Sequence, residues 1–514
     1  MSASFGLTTK LFFKKYREYL YISSIFIIGI FFRTLFLKEN LFFGFEQGRD
    51  AQVAQLIYNL EKFPLIGPKT DISGIFHGGG YYYLIAALYF LGEGSPYFVV
   101  TALAVLNSAG VFFIYWTMKL LTNRSFYQLL AAVLYSISFN SIIYSRWVSN
   151  VSPSIPLAAA FIFALLFHRK KQNLTSTTFL AFITGLFLHF EMLHLLYALF
   201  TLGVLIVCKF LRFSIKQYIV GTALVVILVS PSIIFELRHQ FIMTKSALGY
   251  LNGSSPDNSN SLTTYINGIV YEINQTFSVM NIYHNFYKWI SPLLLIIGIM
   301  IVFFDKYNKH KRGVLAMLTF LTFWSFPYIL LSKDHSLVHF YSGTVVMLIV
   351  LVVFITSMLK YPIKQGYILV LFTLILTSVF HGYHSLRNIY DVFYQNTHRD
   401  MRYVDQLQAM DYIFSYSDDS FHYDAFTVPY FSKNAWDYLY EWVGKTKYQD
   451  KYNLNALINN LNQKKYFFLI IEPDSKGDYL NSWLNKYDLS TSIISEEKFG
   501  HITVQVRKNI SYYQ

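Results

Sequence analysis

Glu46-Gln47-Gly48-Arg49-Asp50 sits between two stretches that belong to a membrane, and that position decides how the chain is read. Upstream, the apolar run 20–37 is long enough to cross a bilayer, which takes about 20 predominantly apolar residues. Downstream, 71–83 (DISGIFHGGGYYY) leads back toward lipid. Ionisable residues pressed against lipid mark a candidate site.

Working outward, composition gives the class. Of 514 residues, 54% are hydrophobic, 19% are aromatic and 14% are charged, against roughly 25% charged in soluble domains. The apolar runs are long and unalternating, so they predict membrane helices rather than the short alternating strands of a barrel. We expect about eleven spans of bilayer length, near 20–37, 97–119, 126–144, 152–167, 175–189, 192–210, 217–236, 288–304, 313–331, 338–359 and 366–382. The single cysteine, Cys208, excludes a disulfide framework. No small-residue cleavage site follows the first apolar run, so that helix is expected to stay as an anchor.

Lys and Arg orient the bundle. With the N-terminus in the cytoplasm, the inner segments collect Lys14, Lys15, Arg17, Lys119, Arg124, Arg169, Lys170, Lys171, Arg212, Lys311 and Arg312, among others. The later outer connections hold only Arg146, Arg238, Lys245, Lys288 and Lys333. Counting 81–91 (YYYLIAALYFL) as a span would invert every later loop, so it reads as a juxtamembrane or re-entrant helix of the first outer loop, 38–96. The net charge of +13 is then explained by topology, and no nucleic-acid motif accompanies it. Of the acidic residues before residue 385, only Glu18 and Asp305 fall inside. Carboxylate chemistry is therefore expected outside.

After residue 383 the long apolar runs stop. Residues 391–414 read as a helix, Tyr466–Ile471 and 502–506 as strands, and 479–487 as a helix between them. The expected fold is an all-α polytopic membrane bundle, 1–383, followed by an extracytoplasmic α/β domain, 384–514. Residues 253–260 (GSSPDNSN) form a turn-rich stretch.

FEQGRDA (45–51) followed by FHGGGYYY (76–83) resembles the first outer loop of the C-class (GT-C) glycosyltransferases, in particular the group containing bacterial aminoarabinose transferase and the protein O-mannosyltransferases. Asn107, YSRWVSNVSPS (144–154) and PSIIFELRH (231–239) extend the likeness through the membrane part in the same order. The resemblance implies transfer of a sugar from a polyprenyl-phosphate carrier to an acceptor hydroxyl at the outer membrane face, with inversion at the anomeric carbon. The acceptor can be a glycan, a lipid or a protein. Such a reaction needs a carboxylate to take the acceptor proton and cations to stabilise the departing phosphate.

Carried over residue by residue, Glu46 matches the family's first acid and is the expected base, with Asp50 as rival or orienting partner. Glu46 stands where Asp is commoner, and Gln47 where a second acid is common. Arg49, His77, Arg146, Arg238 and Lys333 are the phosphate or donor candidates. His77 replaces a usual Lys, and Gly78-Gly79-Gly80 replaces usual prolines. Glu191, His335, His339 and Tyr341 are candidates for lining the pocket or holding the acceptor; Asp334 and the neighbouring His189 and His194 belong to the same outer clusters. None of these has metal-ligand spacing, so no structural metal is expected; a divalent ion between Glu46 and Asp50 stays open, because some relatives use one. For each cation the plainer alternatives are snorkelling, packing or a structural ion pair. At the level of function, the alternatives are a transporter or flippase of lipid-linked sugars and a non-catalytic envelope-assembly protein. Transporters place their binding residues near the bilayer midplane, whereas the acids here lie at the outer ends of spans.

Overall fold

The computed structural model describes residues 2–70, 72–252, 261–277, 290–304, 309–327, 341–387, 402–416, 421–428, 430, 432–449, 466–474 and 479–509. In chain order α1 (Ser2–Thr34), α2 (Leu37–Asn40) and α3 (Phe45–Tyr58) lead to the ribbon β1 (Ile66–Lys69) and β2 (Phe76–Gly78). Next come α4 (Gly80–Leu91), α5 (Pro96–Ser108), α6 (Gly110–Leu121), α7 (Ser125–Ile137), α8 (Phe139–Tyr144) and α9 (Ser154–Lys171). They are followed by α10 (Leu174–Phe190), α11 (Met192–Val207), α12 (Ile215–Arg238), α13 (Ile242–Asn252), α14 (Ser261–Phe277), α15 (Ile290–Phe304) and α16 (Lys309–Thr322). The helices α17 (Thr344–Met358), α18 (Ile363–Arg387) and α19 (Tyr403–Tyr416) precede β3 (His422–Phe426) and α20 (Asn434–Lys447). The chain closes with β4 (Tyr466–Ile471), α21 (Leu480–Asp488), β5 (Thr491–Phe499) and β6 (Ile502–Asn509).

Contacts divide the chain into two compact units. One holds Met1–Leu35, Pro64–Tyr81 and Ala102–Tyr383; the other holds Phe36–Phe63, Tyr82–Thr101 and His384–Gln514.

The first unit is a helix bundle. Its centre is α17, where VVMLIVLVVFI is apolar on every side and buried on every side, as expected of a helix with no polar face. By contrast α12 turns Ile219, Val226, Ile227 and Ile233 outward, an apolar surface suited to lipid. Short turns with side-chain caps join neighbouring helices: Asn173 accepts the Ser176 N–H before α10, and Ser214 accepts that of Gln217 before α12. Among the described residues two helical stretches are long and apolar enough to cross a membrane by themselves, Pro96–Leu121 and Ile215–Arg238; other apolar helices are shorter. The run 126–144 is not one rod, because Ser138 is extended and separates α7 from α8. The described part of the connection between the runs 217–236 and 288–304 is not a plain loop either. Within it, α14 places Tyr265, Ile269 and Ile273, four residues apart, in the bundle core.

The second unit contains the sheet. Its strand order is β3-β4-β6-β5, with β3 and β4 parallel and the rest antiparallel. Alternation along β4 feeds two cores. Phe467, Leu469 and Ile471 meet Trp483 and Tyr487 of α21, while Phe468 points to the other side, against Tyr416 and Phe421. Glu472, at the end of β4, accepts N–H groups from Val428 and Trp436 at 2.7 Å each. The N-terminal part of the unit is stitched in by backbone: the Tyr403 N–H donates to the Leu41 carbonyl, 2.8 Å. The helix α4 also belongs largely here. At 12 residues it is about 18 Å long.

Candidate functional site

In the second unit, Gly44 is the N-cap of α3, and its N–H donates to the Gln47 side chain at 3.1 Å. Glu46 thus stands in the first helical turn, where the helix dipole favours a negative charge, and its side chain is exposed. One turn later Asp50 is only 4% exposed. The Arg49 guanidinium clasps Asp50 Oδ1 through Nη2 at 2.8 Å and Nε at 2.9 Å. The Tyr82 hydroxyl, from α4, donates to the same oxygen at 3.3 Å. Burial pushes the Asp50 carboxyl up to about 6; Arg49 and Tyr82 pull it down, and Glu46 adds to the rise. For Arg49, burial works against its charge, but Asp50 outweighs it and holds the guanidinium above its ordinary range.

Gly48 explains how this helix is seated. A Cβ there would lie 2.4 Å from the Ala435 backbone, so α3 and α20 touch main chain to main chain. Gln52 Nε2 then donates to the Asn434 carbonyl at 3.3 Å, and Gln55 Nε2 to Glu441 Oε1 at 2.7 Å.

In the first unit, His77 lies buried on β2. The Met192 N–H faces its Nδ1 at 3.3 Å, and the Asn150 amide nitrogen faces its Nε2 at 3.3 Å while donating to the Phe190 carbonyl. The glycines after it serve a different histidine. Cβ atoms at Gly78 and Gly80 would lie 2.4 Å and 2.7 Å from the His189 ring. The Gly80 N–H donates to His189 Nδ1 at 3.1 Å, so Nε2 carries the proton given to the Leu228 carbonyl, 3.1 Å.

Arg146 is also buried, and its Nη1 donates to the carbonyls of Arg33 and Leu35 at 2.9 and 2.7 Å. It thereby holds the carbonyls at and just beyond the end of α1. Arg33, not singled out from the sequence, is fully buried beside it. Its nitrogens reach Asn107 Oδ1, the Gly29 and Ser136 carbonyls and Ser141 Oγ, all neutral acceptors, at 2.7–3.0 Å. Asn107 in turn donates to the Ser152 carbonyl at 3.0 Å, so two resemblance segments meet in one network. An arginine near the end of the first span was the available signal for it.

Glu191 is 1% exposed where α10 breaks into α11. His194 packs on Trp324 with ring centres 4.7 Å apart. Arg238 is exposed in the last turn of α12. Tyr341 is buried beside Tyr265, 5.8 Å between rings. Lys333, Asp334, His335 and His339 lie outside the described residues. Among the described residues no three His, Cys, Asp or Glu side chains converge as metal ligands.

No protein-family model matches the chain, and no curated protein matches its sequence. Solved structures do match. ArnT from Cupriavidus metallidurans, determined bound to undecaprenyl phosphate and in the apo state, aligns in both forms with a TM-score of 0.57 at 9% identity, covering 95% of this chain and 97% of that one. An Archaeoglobus fulgidus oligosaccharyltransferase in the apo form gives a TM-score of 0.49 at 9% identity over 82% of this chain and 64% of its own, too distant to bear on the fold. The alignment with ArnT runs through nearly the whole of both chains, and the architecture of this protein is accordingly the GT-C fold that its FEQGRDA and FHGGGYYY segments resemble.

Proposed function

We propose that the protein is an integral-membrane glycosyltransferase that moves a sugar from a polyprenyl-phosphate carrier to an acceptor hydroxyl at the outer face of the cell membrane. The observation that carries this reading is the carboxylate pair of α3, with Glu46 exposed and Asp50 buried against Arg49, on a fold shared with a protein that binds undecaprenyl phosphate.

In the reaction, the acceptor oxygen attacks the anomeric carbon and the bond from that carbon to the carrier phosphate breaks. The bonding pair leaves on the phosphate, and configuration inverts. Glu46 takes the acceptor proton; its exposure leaves it open to an incoming hydroxyl. Asp50, engaged by Arg49 and Tyr82, orients the helix turn and is the second choice as base. A phosphate is already a good leaving group, so no second carboxylic acid is needed, unlike hydrolysis of an ordinary glycosidic bond. The leaving charge calls for a cation. Arg49 and Arg238 are the described candidates that keep solvent access. Contact by His77 or Arg146 would require turning them away from their present partners. The reaction as proposed needs no cofactor. The N-terminus is inside, and residues 384–514 form the extracytoplasmic α/β domain.

The test is donor turnover by purified protein, with a panel of polyprenyl-phosphate sugars and a membrane extract as acceptor, read by mass spectrometry. Wild type should consume one donor, and Glu46→Gln should be slower by about 10²–10⁴-fold, the usual span of general-base catalysis. Equal consumption by both proteins would move the base to Asp50. Absence of turnover from folded wild type would favour a transporter or a scaffold.

A further inference from the structure

Helix α20 holds two arms of the first outer loop at once. On one side, Asn434, Ala435 and Glu441, two turns apart, meet α3 through Gln52, Gly48 and Gln55. On that same side, Tyr438 and Trp442, one turn apart, meet the turn after α4. The Tyr438 hydroxyl donates to the Gly94 carbonyl at 2.7 Å, and Trp442 Nε1 to the Glu93 carbonyl at 2.9 Å. Gly94 has φ +83, and a Cβ there would lie 2.6 Å from Trp442. These partners are more than 340 positions apart in sequence. The helix α3 supplies Glu46, Arg49 and Asp50, and α4 supplies Tyr82. Both helices that build the Arg49–Asp50–Tyr82 group are therefore tied to one helix of the C-terminal segment.

We infer that α20 is a positioning element of the carboxylate site, and that Glu441 is a positioning residue acting through Gln55 on the set of α3. The inference rests on the proposed function for the meaning of the site, and assigns to the C-terminal segment a role in the chemistry. Displacements of about 1 Å in a reacting group can cost on the order of 10²-fold in rate. Gln55 is nine residues beyond Glu46 on the same helix, so a looser Gln55–Glu441 contact tilts the turn that presents both acids.

The test uses full-length protein with Glu441→Leu, Glu441→Gln and Gln55→Leu, beside wild type and Glu46→Gln. Two readouts are taken: hydrogen exchange of peptides from 45–58, and kcat and KM for the donor. Glu441→Leu and Gln55→Leu should each raise exchange in 45–58 and lower kcat about 10-fold with KM little changed, and the double variant should be no worse than either. Glu441→Gln should restore both readouts, because its amide oxygen still accepts from Gln55. Unchanged exchange in both leucine variants overturns the inference whether or not turnover is detected. So does altered exchange with unaltered kcat in an active enzyme, or equal loss in Glu441→Gln and Glu441→Leu. Failure of the functional reading shows separately, as wild type and Glu46→Gln that do not differ.

Discussion

Asp50 lost more in leaving water than Arg49 and Tyr82 give back, which is why its carboxyl stands at about 6 against an ordinary 3.8. A raised carboxyl favours the folded state when protonated, so that share of stability is complete below about pH 4 and is lost as pH rises through about 6. The rise corresponds to an order-of-magnitude cost of about 3 kcal/mol at neutral pH. Asp50→Asn should therefore melt above wild type at pH 7.5, by an amount equivalent to about 1–3 kcal/mol, and the gap should close near pH 4. A thermal melt at the two pH values checks this, and a variant that melts below wild type at pH 7.5 would mean the Arg49 pair is worth more than burial costs. At this scale the sequence was informative about identity and poor about environment. The carboxylates of FEQGRDA could be picked out by their place after the first span. That Glu46 would be open and Asp50 closed depends on Tyr82 and on contacts of α20, and no local spacing encodes those. For the same reason Arg146 and His77 could be picked out as polar residues, but not the carbonyls and donors that engage them.

Elements with one strong period were the legible ones. The strand Tyr466–Ile471 and the helix 479–487 could be read because a buried central strand is continuously apolar and a surface helix alternates every three to four residues. β5 and α20 were missed: the first is a mostly exposed edge, and the second, NAWDYLYEWVGKTK, is polar enough to pass for a loop. The helix α14 shows its 265-269-273 stripe only once the bundle is there to receive it. The triple glycine is the clearest element-scale case. The sequence shows only glycines where prolines are usual, whereas the structure packs Gly78 and Gly80 against the His189 imidazole. Gly80→Ala places a methyl 2.7 Å from the ring carbon; the strain should destabilise the protein by about 1–3 kcal/mol. A thermal melt measures it, and pairing with His189→Ala should recover part of the loss. No recovery would mean that backbone freedom, and not the ring, is what the glycine supplies.

For the molecule as a whole, class and order of parts were legible because bilayer physics writes them in long runs. About twenty apolar residues and a basic inner flank are needed wherever a helix crosses. Interleaving was not legible, since segments 36–63 and 82–101 join residues after 384 by contacts across hundreds of positions, and loop closure over such lengths leaves no periodic trace. Helix lengths alone do not give orientation, and the proposed one rests on the basic residues. Arg169, Lys170 and Lys171 end α9 at the face assigned to the cytoplasm. A reporter enzyme active only outside the cytoplasm should thus be inactive when fused after Lys171 and active when fused after Gln514. Maleimide labelling in intact cells offers an independent check: Cys208, the one cysteine, is exposed near the inner end of α11 and should stay unlabelled until the membrane is opened. A label on Cys208 from outside would reverse the topology, put Glu46 and Asp50 on the cytoplasmic face, and remove the outer-face reaction along with it.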